Sequence, residues 1–414
     1  MHEPLPERGS DWDTLRERMI ELGRGDVDWR RARTAVYVFN AGEDVLRVAR
    51  EAYALYQSEN ALGPAAFPSL RRMEDEVVSM GLSLLHAPDT ACGDMTSGGS
   101  ESIFLALLAC REQARAASRD VSRAGIVIPR SAHPAFDKAA RALGLRVARV
   151  PVGPDLRADV QAMEGAIDAH TLMLVGSAPC FPYGVVDPIA ELGRIALDRG
   201  LWLHVDACVG GYLAPFAVMN GVAVPPFDFS VAGVASVSAD LHKYGYAAKG
   251  ASTLFHRSAA QRAHQVFSFD DWPAGGMTTA TAAGTRPGGA IASAWAVLHY
   301  LGVEGYRAKA RQVIATRELL TREIEAGGEL HVHGEPRLGL FAYGSEELDP
   351  FAIWGRLLRR GWFTGLVTEP RGIHLMLSPA HAEVAGEYLA DLASAVADVK
   401  AAGAATPDTR ARYA

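Results

Sequence analysis

Ser236-Val-Ser-Ala-Asp-Leu-His-Lys243-Tyr-Gly245 is the stretch whose reading decides the fold. Lys243 stands just past a short apolar run and two residues before a glycine. That position makes its amine a candidate imine former. A second stretch lies upstream, His204-Val-Asp206-Ala-Cys-Val-Gly-Gly211. It offers a buried carboxylate at the end of an apolar strand. An imine-forming lysine and an aspartate that pairs with a pyridinium nitrogen are the two protein groups that pyridoxal phosphate needs most.

Outward from these two stretches, short buried runs alternate with helical patterns. The runs Gly125 to Pro129, Arg146 to Val152, Leu172 to Ser177, Leu201 to Val205 and Phe229 to Val234 predict strands. The spacing predicts helices over Asp44 to Gln57, Ser69 to Leu85, Ser100 to Ala117, Pro134 to Leu143 and Pro188 to Arg199, with Ser100 as an N-cap and Glu101 in the first turn. Such alternation points to a mostly parallel α/β sheet. A long helical region begins past Ala294. A smaller αβ unit follows, with strands near Leu338 to Tyr343 and Ile373 to Leu377 and a helix from Ala380 to Val399. The domains expected are an N-terminal segment 1–56, a large domain 57–300, a small domain 301–400 and a flexible tail 401–414.

Composition narrows the function classes. At 414 residues, 49% hydrophobic and 21% charged, the chain is globular. A formal charge of −7 argues against nucleic-acid binding, which would call for a basic face. The cysteines, Cys92, Cys110, Cys180 and Cys208, show no disulfide or zinc spacing, so no metal is expected and reduced thiols suit a cytoplasmic protein. The most apolar region, Leu201 to Val224, is interrupted by His204 and Asp206, so no membrane span is expected.

Thr96-Ser-Gly-Gly-Ser-Glu-Ser102 opens a helix with two glycines, Gly98 and Gly99. Free N–H groups at a helix start favour an anion, and Ser97 and Ser100 add hydroxyls. His204 alternates with Asp206 and shares its side of the sheet, where it either orients the carboxylate or is a satisfied core histidine. His133 precedes another helix and is a candidate to stack on a cofactor ring or assist proton transfer. His242 could donate to a phosphate.

In this order the motifs resemble the pyridoxal-phosphate-dependent group II decarboxylase superfamily, and within it the sphingosine-1-phosphate lyase-like proteins. The similarity runs from about Tyr37 to Ala395. It includes Phe67-Pro-Ser-Leu-Arg-Arg-Met-Glu74, His133-Pro-Ala-Phe-Asp-Lys138, Val175 to Gly184, Lys249-Gly-Ala-Ser252 and Gly284-Thr-Arg-Pro-Gly288.

The resemblance implies the fold type I of pyridoxal-phosphate enzymes: a mostly parallel, seven-stranded large-domain sheet with helices on both faces, and a small α+β domain. It implies an imine on Lys243, a salt bridge from Asp206 to the pyridine nitrogen and His133 over the ring. Cofactor contacts are then expected from Gly98, Gly99, Ser100, Ser177, Ser238 and His242. Gly284, Thr285 and Arg286 would reach in from the neighbouring subunit of a homodimer with shared sites, Arg286 as a bidentate phosphate clamp. Tyr37 matches a substrate-side tyrosine, and Asn60, Met277 and Arg371 are further substrate candidates.

The substrate side departs from the lyases. Their Asn-Pro-Leu-His-Pro-Asp-like segment becomes Asn60-Ala-Leu-Gly-Pro-Ala65, and Met277 stands where they carry tyrosine. The implied activity is a carbon–carbon lyase that breaks a bond at Cα of an amine or amino acid through a quinonoid intermediate. Aldehyde release and decarboxylation stay open, and so do an aminotransferase and a non-catalytic cofactor-binding protein.

Overall fold

The computed structural model describes residues 2–402. The tail expected from 401 lies outside them from 403 on. Seven strands form the central sheet: β1 Cys92–Thr96, β2 Gly125–Pro129, β3 Arg146–Val150, β4 Thr171–Ser177, β5 Trp202–Asp206, β6 Val234–Ala239 and β7 Ser252–His256. Their order is β1-β7-β6-β5-β4-β2-β3, and β7 alone runs antiparallel to its neighbours. Every residue of β2, β4, β5, β6 and β7 is buried. Strands covered on both faces lose the polar–apolar alternation, which is why they read as continuous apolar runs.

A hairpin of β8 Phe267–Phe269 and β9 Met277–Thr279 follows. The small sheet then takes β10 His331–Val332, β11 Leu340–Gly344, β12 Gly365–Thr368 and β13 Arg371–Met376 in the order β10-β11-β13-β12.

The helices, in chain order, are α1 Trp12–Leu22, α2 Glu43–Leu55, α3 Pro68–Leu84, α4 Gly99–Ala116, α5 Ala135–Leu143, α6 Val160–Gly165, α7 Ile189–Arg199, α8 Ala214–Met219, α9 Ala259–Ala263, α10 Gly288–Ala326, α11 Pro350–Arg359 and α12 Ala385–Ala402. Amphipathicity places them. In α5 the buried residues Ala135, Phe136, Ala139, Ala140 and Leu143 form one stripe against the sheet. The long α10 is broken at Gly302, whose φ is 53°. The N-terminal segment docks onto the small sheet: Ala35 N–H donates to Phe363 O at 3.0 Å, and Met376 N–H donates to Ala35 O at 2.6 Å.

Two local expectations are corrected. The strand expected over Phe229 to Val234 is instead β6, which begins at Val234. Its Ser236 and Ser238 looked too polar for a buried strand, but His204 and Trp202 satisfy them from β5. The N-cap of α4 is Gly98, not Ser100.

The layout points one edge of the sheet at the chemistry. Thr96, Ser177, Asp206 and Ala239 all end parallel strands on the carboxyl side, where open α/β sheets bind ligands. Packing there leaves little space. A Cβ on Gly210, in the turn after Asp206, would sit 2.0 Å from the carbonyl oxygen of Ala178. Gly210→Ala is therefore expected to destabilise the fold by ~1–3 kcal/mol in urea denaturation; an unchanged midpoint would show that the turn can move.

Candidate active site

Loops from five strand ends, those of β1, β2, β4, β5 and β6, meet in a cavity of about 360 Å³, lined by Ser97 to Glu101, His133, Phe181, Asp206, Cys208, Asp240, His242 and Lys243 among others. Lys243 sits in the turn after β6. Its Nζ lies 2.9 Å from an Asp240 carboxylate oxygen, and that carboxylate is almost fully buried. Burial alone would push the Lys243 ammonium down, but Asp240 outweighs it and holds the lysine above its ordinary pKa. Burial likewise raises the Asp240 carboxyl, and Lys243 and His242 reverse the shift and hold it below the usual range.

Asp206 closes β5. Its Oδ1 accepts the Cys208 N–H at 3.1 Å. The Nδ1 of His133 accepts the Ala135 N–H at 3.1 Å, which assigns the ring proton to Nε2. Desolvation lowers the His133 pKa and the Asp206 charge partly restores it, so the imidazole is neutral at pH 7.

Gly99 is a glycine by necessity. A Cβ there would meet Cys208 Sγ at 2.8 Å and both Asp240 oxygens at 3.1 Å. At Gly98 a Cβ would stand 3.5 Å from His242, so that ring faces the start of α4. The first N–H groups of α4 have no acceptor within the helix and are available to an anion.

Several predicted residues stand elsewhere. His204 does not orient Asp206: its two nitrogens pair with Ser236 Oγ at 2.8 Å and Ser238 Oγ at 3.2 Å, and burial pushes its pKa down to about 4. Ser238 is thereby committed beneath the sheet edge, bonded also to Cys208 Sγ at 3.3 Å, and does not line the cavity. Arg286 is no free phosphate clamp in this chain. Both its terminal nitrogens go to Glu74, an acceptor that the arginine's own neighbourhood in sequence does not reveal. Arg371 is turned out of the cleft, bonded to Asp349 at 2.8 Å and stacked over Phe351 at 3.9 Å.

Asn60 and Met277 gather with Gly284 to Arg286 in a separate cluster. Ala61 N–H donates to Arg286 O at 3.0 Å, and Leu62, Gly284 and Arg286 border a second cavity of about 500 Å³. The chain thus carries its predicted residues in two groups, one around Lys243 and one around Gly284. Tyr37 has a left-handed backbone, φ 65°, and a half-exposed ring. Its carbonyl oxygen is tethered by Lys249 Nζ at 2.9 Å, and the same ammonium reaches His242 O at 3.4 Å.

Lys249 and Asp240 are the polar groups that sequence reading missed. Both lay inside the quoted motifs: Asp240 is a buried charge, and Lys249 is an exposed residue whose ammonium turns in to two backbone carbonyls. Burial, with Lys243 nearby, brings Lys249 down to about 8.

A profile of the pyridoxal-dependent decarboxylase conserved domain matches residues 4–345. The chain belongs to this family. It is 40% identical over 406 residues to sphingosine-1-phosphate lyase of Arabidopsis thaliana, covering 96% of this chain and 74% of that one. To sphingosine-1-phosphate lyase 1 of Mus musculus it is 38% identical, over 95% and 70%. Among solved structures, the sphingosine-1-phosphate lyase of Burkholderia pseudomallei superposes with a TM-score of 0.93 at 38% identity, over 97% of this chain and 94% of the other. The glutamate decarboxylase of Lactobacillus brevis, 20% identical with a TM-score of 0.83 over 98% and 96%, shares the fold. The protein is a pyridoxal-phosphate-dependent carbon–carbon lyase of fold type I.

The cavity fits that cofactor. Buried polar atoms without a hydrogen-bond partner stand at its wall or beside it: Asp240 Oδ1 and His242 Nδ1 in the wall, and Ser177 Oγ behind Asp206. The glycine cradle and the open start of α4 suit a phosphate, and an acid stands across from the lysine.

One consequence concerns pH. Only the neutral amine of Lys243 can capture an aldehyde, and Asp240 keeps it protonated at pH 7. Apoprotein should therefore capture pyridoxal phosphate about tenfold faster per pH unit between pH 7 and 9. Asp240→Asn, which removes the charge that holds the ammonium, should raise the capture rate at pH 7 in stopped-flow absorbance; a rate no faster than wild type would remove Asp240 from this role.

Proposed function

We propose that the enzyme cleaves the Cα–Cβ bond of a β-hydroxy amine bearing a long apolar chain, releases an aldehyde, and works as a homodimer with shared sites. The observation that carries the substrate class is a groove of about 820 Å³ that continues from the lysine cavity past His133 and Phe181. Pro151, Val152, Leu156, Pro182, Leu366 and Val367 give it apolar walls. A chain of methylenes would gain ~0.8 kcal/mol per buried carbon there, whereas a common amino acid would leave most of the groove unfilled. The curated relatives' name, sphingosine-1-phosphate lyase, supports the same kind of substrate. The outward turn of Arg371 removes the candidate grip for a substrate carboxylate.

Pyridoxal phosphate, when bound, supplies an aldehyde that captures the substrate amine and a ring that accepts the electron pair of the broken bond. The chain's own residues do the rest. Asp206 holds a proton on the ring nitrogen, and a buried anion at that point favours the charge that develops there. Lys243 would hold the cofactor through its amine and could carry a proton to Cα, with Asp240 2.9 Å away to receive or return it. His133, which lines the cavity, would offer Nε2–H beside the cofactor ring. Gly98, Gly99 and Ser100, with His242, would bind the phosphate; Ser177, expected to contact the cofactor, is buried beside Asp206 and does not line the cavity. Tyr37, whose phenol burial keeps protonated, meets the substrate oxygen at the rim.

The second group of residues supports the dimer. Within one chain, Asn60, Met277, Gly284 and Thr285 do not reach the Lys243 cavity. A second copy can bring them there, as shared sites in closed dimers require. Among the described residues no helix is long and apolar enough to cross a membrane. With four free cysteines, we assign the enzyme to the cytoplasm.

The test is a product assay by mass spectrometry on cofactor-loaded enzyme, with phosphorylated and free long-chain amino alcohols beside a panel of amino acids. Aldehyde from the amino alcohols is expected; carbon dioxide from an amino acid would replace this reading with decarboxylation. Lys243→Ala should abolish turnover, and Asp206→Ala should lower it by about 10²–10³-fold. Co-expression of Lys243→Ala with an inactive Gly284→Asp should restore about a quarter of wild-type activity if sites are shared; no recovery would make each chain's site its own.

A further inference from the structure

Two carboxylates tie the loop before α4 to the 282–286 segment. Glu101, in the first turn of α4, bends back so that Oε2 accepts the Ser97 N–H at 2.6 Å. Its Oε1 accepts the N–H groups of Ala282 at 2.8 Å and Ala283 at 3.3 Å. Glu74 of α3 does the same one step further in. It takes the Arg286 guanidinium on both oxygens and accepts the Met95 N–H at 3.2 Å. Arg286 also donates to Met95 O at 3.2 Å. The backbone on both sides of Thr96 is thus pinned to the same distant segment by two independent acids.

The place of Glu101 needs an explanation. It borders the cavity at the glycine cradle, where a carboxylate repels a phosphate and weakens its binding. Three amide donors on one side chain supply the reason. The acid is occupied in holding two loops together, and it also takes the Ser97 N–H out of play. The remaining first-turn donors of Gly99 and Ser100 are left aimed at the cavity.

We propose that Glu101, backed by the Glu74–Arg286 pair, is a positioning clamp. It fixes the Gly98–Ser100 backbone for the cofactor phosphate and keeps residues 284–286 in register with it. The inference rests on Gly98 to Ser100 being the phosphate loop. In the dimer, the clamp links the phosphate loop of one site to the segment that serves the other.

The sign of one measurement separates a clamp from a bystander charge. Apoprotein is titrated with pyridoxal 5′-phosphate and, separately, with pyridoxal, which lacks the phosphate; the melting temperature of the apoprotein is recorded alongside. For Glu101→Ala the clamp predicts a Kd for pyridoxal phosphate raised about tenfold. The pyridoxal Kd should stay unchanged, and the apoprotein should melt within about 2 °C of wild type. Arg286→Lys, which keeps the charge and loses the fork, should weaken pyridoxal phosphate in the same direction. Unchanged or tighter binding by Glu101→Ala overturns the clamp, since removal of a mere bystander anion would favour the phosphate. Equal loss for both ligands, or an effect confined to melting, overturns it too. If wild type itself shows no preference for pyridoxal phosphate over pyridoxal, the phosphate-loop assignment fails and the clamp with it.

Discussion

A lysine ammonium and an aspartate lie 2.9 Å apart at the floor of the cavity. Burial works against both, and each reverses the shift of the other. Much of the local structure follows from housing this pair. Asp240 fills the space that a side chain on Gly99 would occupy, so the start of α4 passes close over it with bare backbone. That close pass brings the free N–H groups of the helix to the wall of the same cavity. The ion pair and the anion site are therefore one packing arrangement. Pairing also sets the reactivity of the lysine: the amine is held charged until an aldehyde competes for it, and a base stands within hydrogen-bond reach when the proton must leave.

The sheet decides which residues can join that floor. Five parallel strands, β1, β2, β4, β5 and β6, end beside it, and what each carries just past its end is what the cavity receives. This is why the Lys243 group was legible in the sequence. Lys243, Asp206, His133, Gly98 and Gly99 each belong to a short contiguous motif at the end of an apolar run, and strand ends are among the few places where sequence adjacency becomes spatial convergence. The alternation of runs and helices likewise outlined the parallel sheet. The antiparallel β7 and the edge strand β1 escaped notice, since Ser252 and Thr253, like Ser236 and Ser238, are polar residues whose partners lie on other strands.

What stayed hidden depended on pairings across long separations. Arg286 is expected at the neighbouring subunit's phosphate because an arginine fork suits a phosphate; within its own chain that fork is taken by Glu74, 212 residues away. His204 looked like a support for Asp206 because the two share a side of β5, yet the neighbouring strand β6 offered serines at better positions. In Arg371 the competing partners were an aspartate and a phenylalanine on α11 and its N-cap. In each case the residue type was read correctly as a group that seeks a partner, and the fold supplied a nearer one.

The arrangement also places the predicted cofactor and substrate residues largely in two separate groups within the chain. The cofactor group sits at the strand ends, rigid and buried. The residues that departed from the lyase pattern, Asn60 to Ala65 and Met277, sit in the other group, on a loop and a short hairpin with partly exposed side chains. Change there leaves the ion pair and the glycine cradle untouched. The two groups are held in fixed relation by Glu74, Glu101 and Arg286, so a loop can be rewritten in composition while its distance from the phosphate loop is preserved. Such a division would let a substrate-side segment change in sequence without disturbing the strand-end residues around Lys243.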